Sequence, residues 1–122
     1  MTLFENKSFV SHVGLVLPFK IDCDALSDED IETLACIVAR KFTFNRVYGI
    51  PRGGVRLAHA LEKYVSPEGP LLIVDDVLTT GKSMEEAKKK FGDENTIGVV
   101  IFARGACPPW IQAIFMLASW AD

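Results

Sequence analysis

Residues 71–83 read LLIVDDVLTTGKS, and this stretch decides the fold. Leu71 to Val74 form a continuous apolar run of the kind buried on both faces of a parallel sheet. Two adjacent carboxylates follow, Asp75 and Asp76, then Val77-Leu78 and the small polar run Thr79-Thr80-Gly81-Lys82-Ser83, where Ser83 is placed to cap a helix. Thr79, Thr80 and Ser83 bring hydroxyl donors, Gly81 permits a tight turn and close backbone approach, and the first N–H groups of the helix are free. Together these donors suit a phosphate dianion. The helix-end charge contributes about 0.3 to 1 kcal/mol at an exposed surface and up to about 2 kcal/mol when partly buried, so direct hydrogen bonds carry most of the affinity. The two aspartates would repel a phosphate. They suit sugar hydroxyls, or a Mg²⁺ reached directly or through water, and are the candidate catalytic and metal-holding pair.

On the N-terminal side, Arg46 to Ile50 is a short β-prone run, broken by Pro51 and the Gly53-Gly54 pair. Val55, Leu57, Ala58 and Leu61 then give a helical pattern, and Ser66 to Pro70 is a turn-rich joint leading to Leu71. Further upstream, Ser27 and Asp30 form a capping box before Ile31, Leu34, Ala35 and Val38, the apolar side of a helix ending near Arg40. On the C-terminal side, Met84, Ala87 and Phe91 mark a helix, and Ile97 to Ala103 is the next strand. The order β-α-β-α-β predicts parallel strands joined by right-handed crossovers, a small Rossmann-like α/β sheet. Ligands of such sheets bind beyond the carboxyl ends of the strands, where the Leu71 to Ser83 loop lies. Arg104-Gly105 ends the sheet edge, and Trp110 to Ala118 reads as a helix apolar on nearly all sides, suited to core packing or to a homodimer contact.

At 122 residues the chain has the size of one domain, spanning residues 1–122. A formal net charge of -3 argues against a nucleic-acid-binding surface, and the Lys88 to Lys90 run reads as a solvated helix face. Cys23, Cys36 and Cys107 form no C-x-x-C pair, which suggests neither a disulfide framework nor a zinc site. Without a signal-peptide pattern, and with its most apolar stretch, Trp110 to Trp120, shorter than the roughly 20 residues of a membrane span, the chain reads as soluble and cytoplasmic.

From Leu71 to Ser83 the sequence resembles, at every position, the motif with which type I phosphoribosyltransferases bind 5-phosphoribosyl 1-pyrophosphate (PRPP). The resemblance implies that Thr79, Thr80, Gly81, Lys82 and Ser83 hold the 5-phosphate and that Asp75 and Asp76 lie by the ribose hydroxyls. The Walker A pattern is not matched, because Asp76 stands where its first glycine belongs, which disfavours nucleoside triphosphate hydrolysis. Gly49 to Gly54, GIPRGG, resembles the pyrophosphate loop of the same family. Pro51, Arg52, Gly53 and Gly54 are thereby its pyrophosphate-binding residues, Arg52 bringing a fixed positive charge. A non-proline cis peptide at Pro51-Arg52 is also implied.

Phe9 to Asp22 resembles the hood segment of orotate phosphoribosyltransferases, with Phe9, Gly14, Pro18 and Asp22 in agreement, so residues 1–25 are expected to form a short hood. His12 stands in place of a lysine, and Val13 and Leu17 in place of serines, which leaves the acceptor base open. His12 and Phe19 are candidate base contacts, Phe19 serving equally well to pack the hood. The joint at Ser66 to Pro70 has no room for the long flexible catalytic loop of the family. Two functions follow from the resemblance: an Mg²⁺-assisted phosphoribosyltransferase acting on PRPP and a nitrogenous base, or a non-catalytic sensor of PRPP or a nucleotide.

Overall fold

In the computed structural model, residues 23–92 and 95–117 are described, with the backbone of four two-residue strands before them. Those short strands are β1 (Phe4–Glu5), β2 (Phe9–Val10), β3 (Val16–Leu17) and β4 (Lys20–Ile21); β1 pairs antiparallel with β4, and β2 with β3. His12 and Phe19 lie outside the described residues.

The remaining elements are α1 (Asp28–Lys41), β5 (Arg46–Gly49), α2 (Val55–Leu61), β6 (Leu71–Leu78), α3 (Lys82–Lys90), β7 (Thr96–Ala103) and β8 (Ile111–Met116). Strands β5 to β8 form one parallel four-stranded sheet in sequential order. Strand alternation sorts the core. Leu72 and Val74 pack with α1 and α2 on one face, while Leu71 and Ile73 pack with Met84 and Ala87 of α3 on the other. That is why the run Leu71 to Val74 is uniformly apolar: both its faces are covered. Helix α1 starts as its sequence requires, with the Asp30 N–H donating to Ser27 Oγ (3.0 Å) and the Ser27 N–H donating to Asp30 Oδ2 (2.9 Å). It buries Ile31, Leu34, Ala35 and Val38.

The structure corrects four expectations. The strand opened by Leu71 runs on to Leu78, because Asp75, Val77 and Leu78 keep their register with Val100, Phe102 and Ala103 of β7. Ser83 is not the cap of α3. Gly81 occupies that position in the left-handed region (φ +83°), which a glycine adopts without steric cost, and the helix begins at Lys82.

The apolar run after Pro109 is strand β8 and not a helix. A short apolar run does not separate buried helix from strand by periodicity. Pairing with β7 decided it, by meeting the backbone hydrogen-bonding demand and burying Ile111.

The fourth correction concerns handedness. Adjacent parallel strands β5, β6 and β7 joined by two crossovers of one hand would carry α2 and α3 on the same face, whereas they lie on opposite faces. The two crossovers therefore differ in hand. Trp110, in the joint between β7 and β8, packs on the α3 face, so the passage through α2 is the exception to the right-handed rule. Its return is short and pinned. The Ser66 N–H donates to Phe44 O (2.8 Å), and Asn45 Nδ2 donates to the carbonyls of Ser66 (2.9 Å) and Pro67 (3.1 Å).

Leu72 is fully buried at the centre of the sheet. Leu72→Ala is expected to cost about 2 to 5 kcal/mol, read as a lower midpoint in urea unfolding with little change in slope.

Candidate functional site

The site sits at the carboxyl end of β6, between two loops. After Leu78 the chain turns through Thr79 and Thr80, and the Lys82 N–H donates to Thr80 Oγ1 (3.3 Å). Gly81 O accepts from the Glu85 N–H (3.0 Å), which closes the first turn of α3. The N–H groups of Ser83 and Met84 have no intrahelical acceptor and mark the donor end of the helix. Thr80, Lys82 and Ser83 are exposed and Thr79 and Gly81 half-buried, so the segment is an open cradle.

The second loop reaches the same strand end from β5. The Ile50 N–H donates to Val74 O (2.9 Å) and the Gly54 N–H to Ile50 O (2.8 Å), which folds residues 50–54 against the strand just before Asp75. The Pro51-Arg52 peptide is cis. A Cβ on Gly53 would overlap the Asp76 carboxylate, and one on Gly54 would overlap Val74 O and lie 2.8 Å from the Ile50 nitrogen. Glycine at position 54 lets the loop backbone touch the strand, and glycine at position 53 leaves room for the Asp76 carboxylate. Arg52 is exposed at the loop's tip.

Asp75 and Asp76 are half-buried and turn back on their own backbone, with the Asp76 N–H donating to Asp75 Oδ1 (2.8 Å) and the Val77 N–H to Asp76 Oδ1 (2.7 Å). Burial pushes the Asp75 carboxyl up from 3.8 to about 8, and the hydrogen bond and negative charge of Asp76 push it in the same direction. Asp75 thus keeps its proton near neutral pH. Two crowded carboxylates are a hard-oxygen donor set that suits Mg²⁺. Among the described residues no cluster of three or more His, Cys, Asp or Glu side chains is positioned to hold a metal ion. Water and ligand oxygens would complete the coordination.

Strand β6 thus brings together the aspartate pair, Gly53 and Gly54 from one loop, and residues 79–83 from the other. Arg104 was passed over in the sequence as the mere end of a strand. Its N–H donates to Leu78 O (3.1 Å), which places its backbone beside the start of the Thr79 turn, and partial burial disfavours its charge. A basic residue at the carboxyl end of a parallel strand was the signal available.

The fold and the placement of the two loops define the class: this is the type I phosphoribosyltransferase fold. Within it the fold is close to that of the orotate phosphoribosyltransferases. It superposes on the orotate phosphoribosyltransferase of Aeropyrum pernix with a TM-score of 0.74 at 18% identity, covering 93% of this chain and 88% of that one. The enzyme of the same name from Mycobacterium tuberculosis H37Rv gives 0.66 at 16% identity, covering 93% and 89%. Adenine phosphoribosyltransferase from Leishmania donovani gives 0.58 at 14% identity, covering 72% and 59%. No family model and no curated protein matches the sequence.

Two predictions follow from this packing. Gly54→Ala pushes on a backbone carbonyl and Gly53→Ala on a side chain that can rotate, so the first is expected to lower the melting temperature more. An overpacked site costs about 1 to 3 kcal/mol. The second concerns pH. The folded state holds the Asp75 proton that the unfolded state releases above 3.8, so stability falls as pH rises from 3.8 to about 8 and levels off beyond. Asp75→Asn removes this titration. Its melting temperature relative to the parent should rise between about pH 5 and about pH 9, by an amount reflecting a cost on the order of a few kcal/mol.

Proposed function

We propose that this protein binds PRPP at the carboxyl end of β6 and transfers its phosphoribosyl group to a nitrogenous base. One observation carries the reading: the Gly53-Gly54 loop lies on the carboxylate of Asp76, while the hydroxyl-rich turn of residues 79–83 leaves the same strand. A phosphate held on that turn, by the hydroxyls of Thr79, Thr80 and Ser83, the backbone at Gly81 and the charge of Lys82, puts the ribose beside the aspartates and the diphosphate toward Pro51 to Gly54. Arg52 is a fixed cation there and stabilises the departing pyrophosphate. The aspartates accept from ribose hydroxyls and steady the positive charge that develops on the ribosyl carbon, so no covalent nucleophile is needed. Asp75 and Asp76 would hold Mg²⁺, directly or through water, and the ion supplies charge neutralisation of the diphosphate.

His12 and Phe19 are assigned to the base by their place in the hood segment. The reading places the protein in the cytoplasm, with neither nucleic acid nor membrane as partner. No helix among the described residues is long and apolar enough to cross a membrane. It also includes a homodimer, for which Phe115 and Met116 on β8, 47% and 60% exposed, offer the apolar surface. Light scattering measures that directly.

A second reading, a sensor that binds PRPP without turnover, is favoured by the joint between α2 and β6. Ser66 to Pro70 is a surface turn too short to cover the reacting centre and exclude water from it. Calorimetry with PRPP and Mg²⁺, followed by pyrophosphate release across a panel of purine and pyrimidine bases, separates the two. Binding with release is the expected result, and binding without release selects the sensor. No binding overturns both. Arg52→Ala is expected to weaken PRPP binding by about 10- to 100-fold, the equivalent of one charge-assisted contact.

A further inference from the structure

The sheet has a second recognition element, at the opposite ends of the strands. Strand β5 pairs with β6 on one side only, and its outer side carries no strand among the described residues. In a parallel ladder, alternate residues of such an edge turn their N–H and C=O groups outward. The unusual hand of the α2 crossover bears on this edge. A helix on that face, following β5, has the position that a right-handed return to a strand outside β5 would require. Among the described residues the fold therefore leaves a strand position open.

Charge selects the occupant. Arg46 and Tyr48 project to the α3 face of β5 and Val47 to the other, as alternation and the packing of Tyr48 and Val47 require. Tyr48 and Phe91 pack with ring centroids 4.9 Å apart. The Arg46 guanidinium lies 6.0 Å from the Phe91 centroid, and Lys90 Nζ lies 5.2 Å from that of Tyr48 and 5.6 Å from that of Phe91. No carboxylate among the described residues pairs with either cation. A place at the carboxyl end of α3 accounts for Lys90 through the helix dipole. It does not account for Arg46 converging on the same ring in a chain of net charge -3. A second copy is a poor occupant, since edge-to-edge pairing of β5 gathers the Arg46 and Lys90 of both copies with no carboxylate among the described residues paired to them.

We propose that the outer edge of β5 receives an extended acidic segment of a partner protein, by strand addition. Backbone hydrogen bonds to β5 supply affinity, and side chains supply selectivity. The segment carries Asp or Glu at alternate positions on the α3 face, meeting Arg46 and Lys90, with an apolar residue between them on the Val47 face.

The test is fluorescence anisotropy with a labelled peptide of about six residues alternating Glu and Val, a typical strand length. Saturable binding is expected, together with amide shifts at Arg46 to Gly49 in NMR spectra. Arg46→Glu combined with Lys90→Glu should weaken it at least about 10-fold, the equivalent of a lost charge-assisted contact. Arg46→Gln with Lys90→Gln should do so less strongly. Both side chains are exposed, and circular dichroism checks that the variants fold. N-methylation of alternate peptide amides should abolish binding, as should replacement of Glu by Lys. Failure of the parent peptide to bind, equal binding to the charge-reversed variant, equal binding of the N-methylated peptide, or tighter binding of a single-stranded oligonucleotide would each overturn the proposal. PRPP binding is independent of the outcome, because Arg46 opens β5 whereas Pro51 to Gly54 follow its far end.

Discussion

The contact on which the site depends is the approach of the Gly53-Gly54 loop to the end of β6. It is made by two backbone hydrogen bonds, Ile50 N–H to Val74 O and Gly54 N–H to Ile50 O, and by the absence of two side chains. A Cβ at Gly54 would drive the loop off the strand, and one at Gly53 would displace the Asp76 carboxylate. Everything chemically useful then follows from proximity. Arg52 is carried at the loop's tip, Asp76 lies under Gly53, and residues 79–83 leave the same strand three residues past Asp76.

That closeness has an electrostatic consequence. Pairing β6 with β7 as far as Leu78 puts both aspartates inside a strand rather than in a solvated loop. Partial burial and mutual repulsion make full ionisation of the pair unfavourable in the protein alone. A cation or hydroxyl donors would relieve it. Asp75 therefore destabilises the free protein at high pH, where a ligand bringing positive charge or donors would offset the cost, a usual compromise between stability and function.

The four parallel strands also constrain the surface. With α2 and α3 on opposite faces, the sheet is covered on both sides, yet its two edges differ. Strand β8 presents exposed apolar residues and no charge, while β5 presents Arg46 flanked by Lys90. The edges thus differ in chemistry, and neither lies where the two loops meet at the end of β6.

Much of this was legible in the linear sequence because it is local. The capping box of Ser27 and Asp30, the buried stripe of α1, the doubly covered run Leu71 to Val74 and the turn at Gly81 each depend on residues within a few positions of one another. The sequence by itself determined the order of strands and helices through Ala103 and the chemistry available to the two loops. Tertiary structure alone decided the rest. Ile111 to Met116 became a strand because β7 offered an unpaired edge; the crossover through α2 took the unusual hand because α2 packs with α1 on the face opposite α3; and Asp75 acquired its raised pKa from burial. Each outcome rests on contacts between distant residues, whose energies are not written in the local periodicity of the chain.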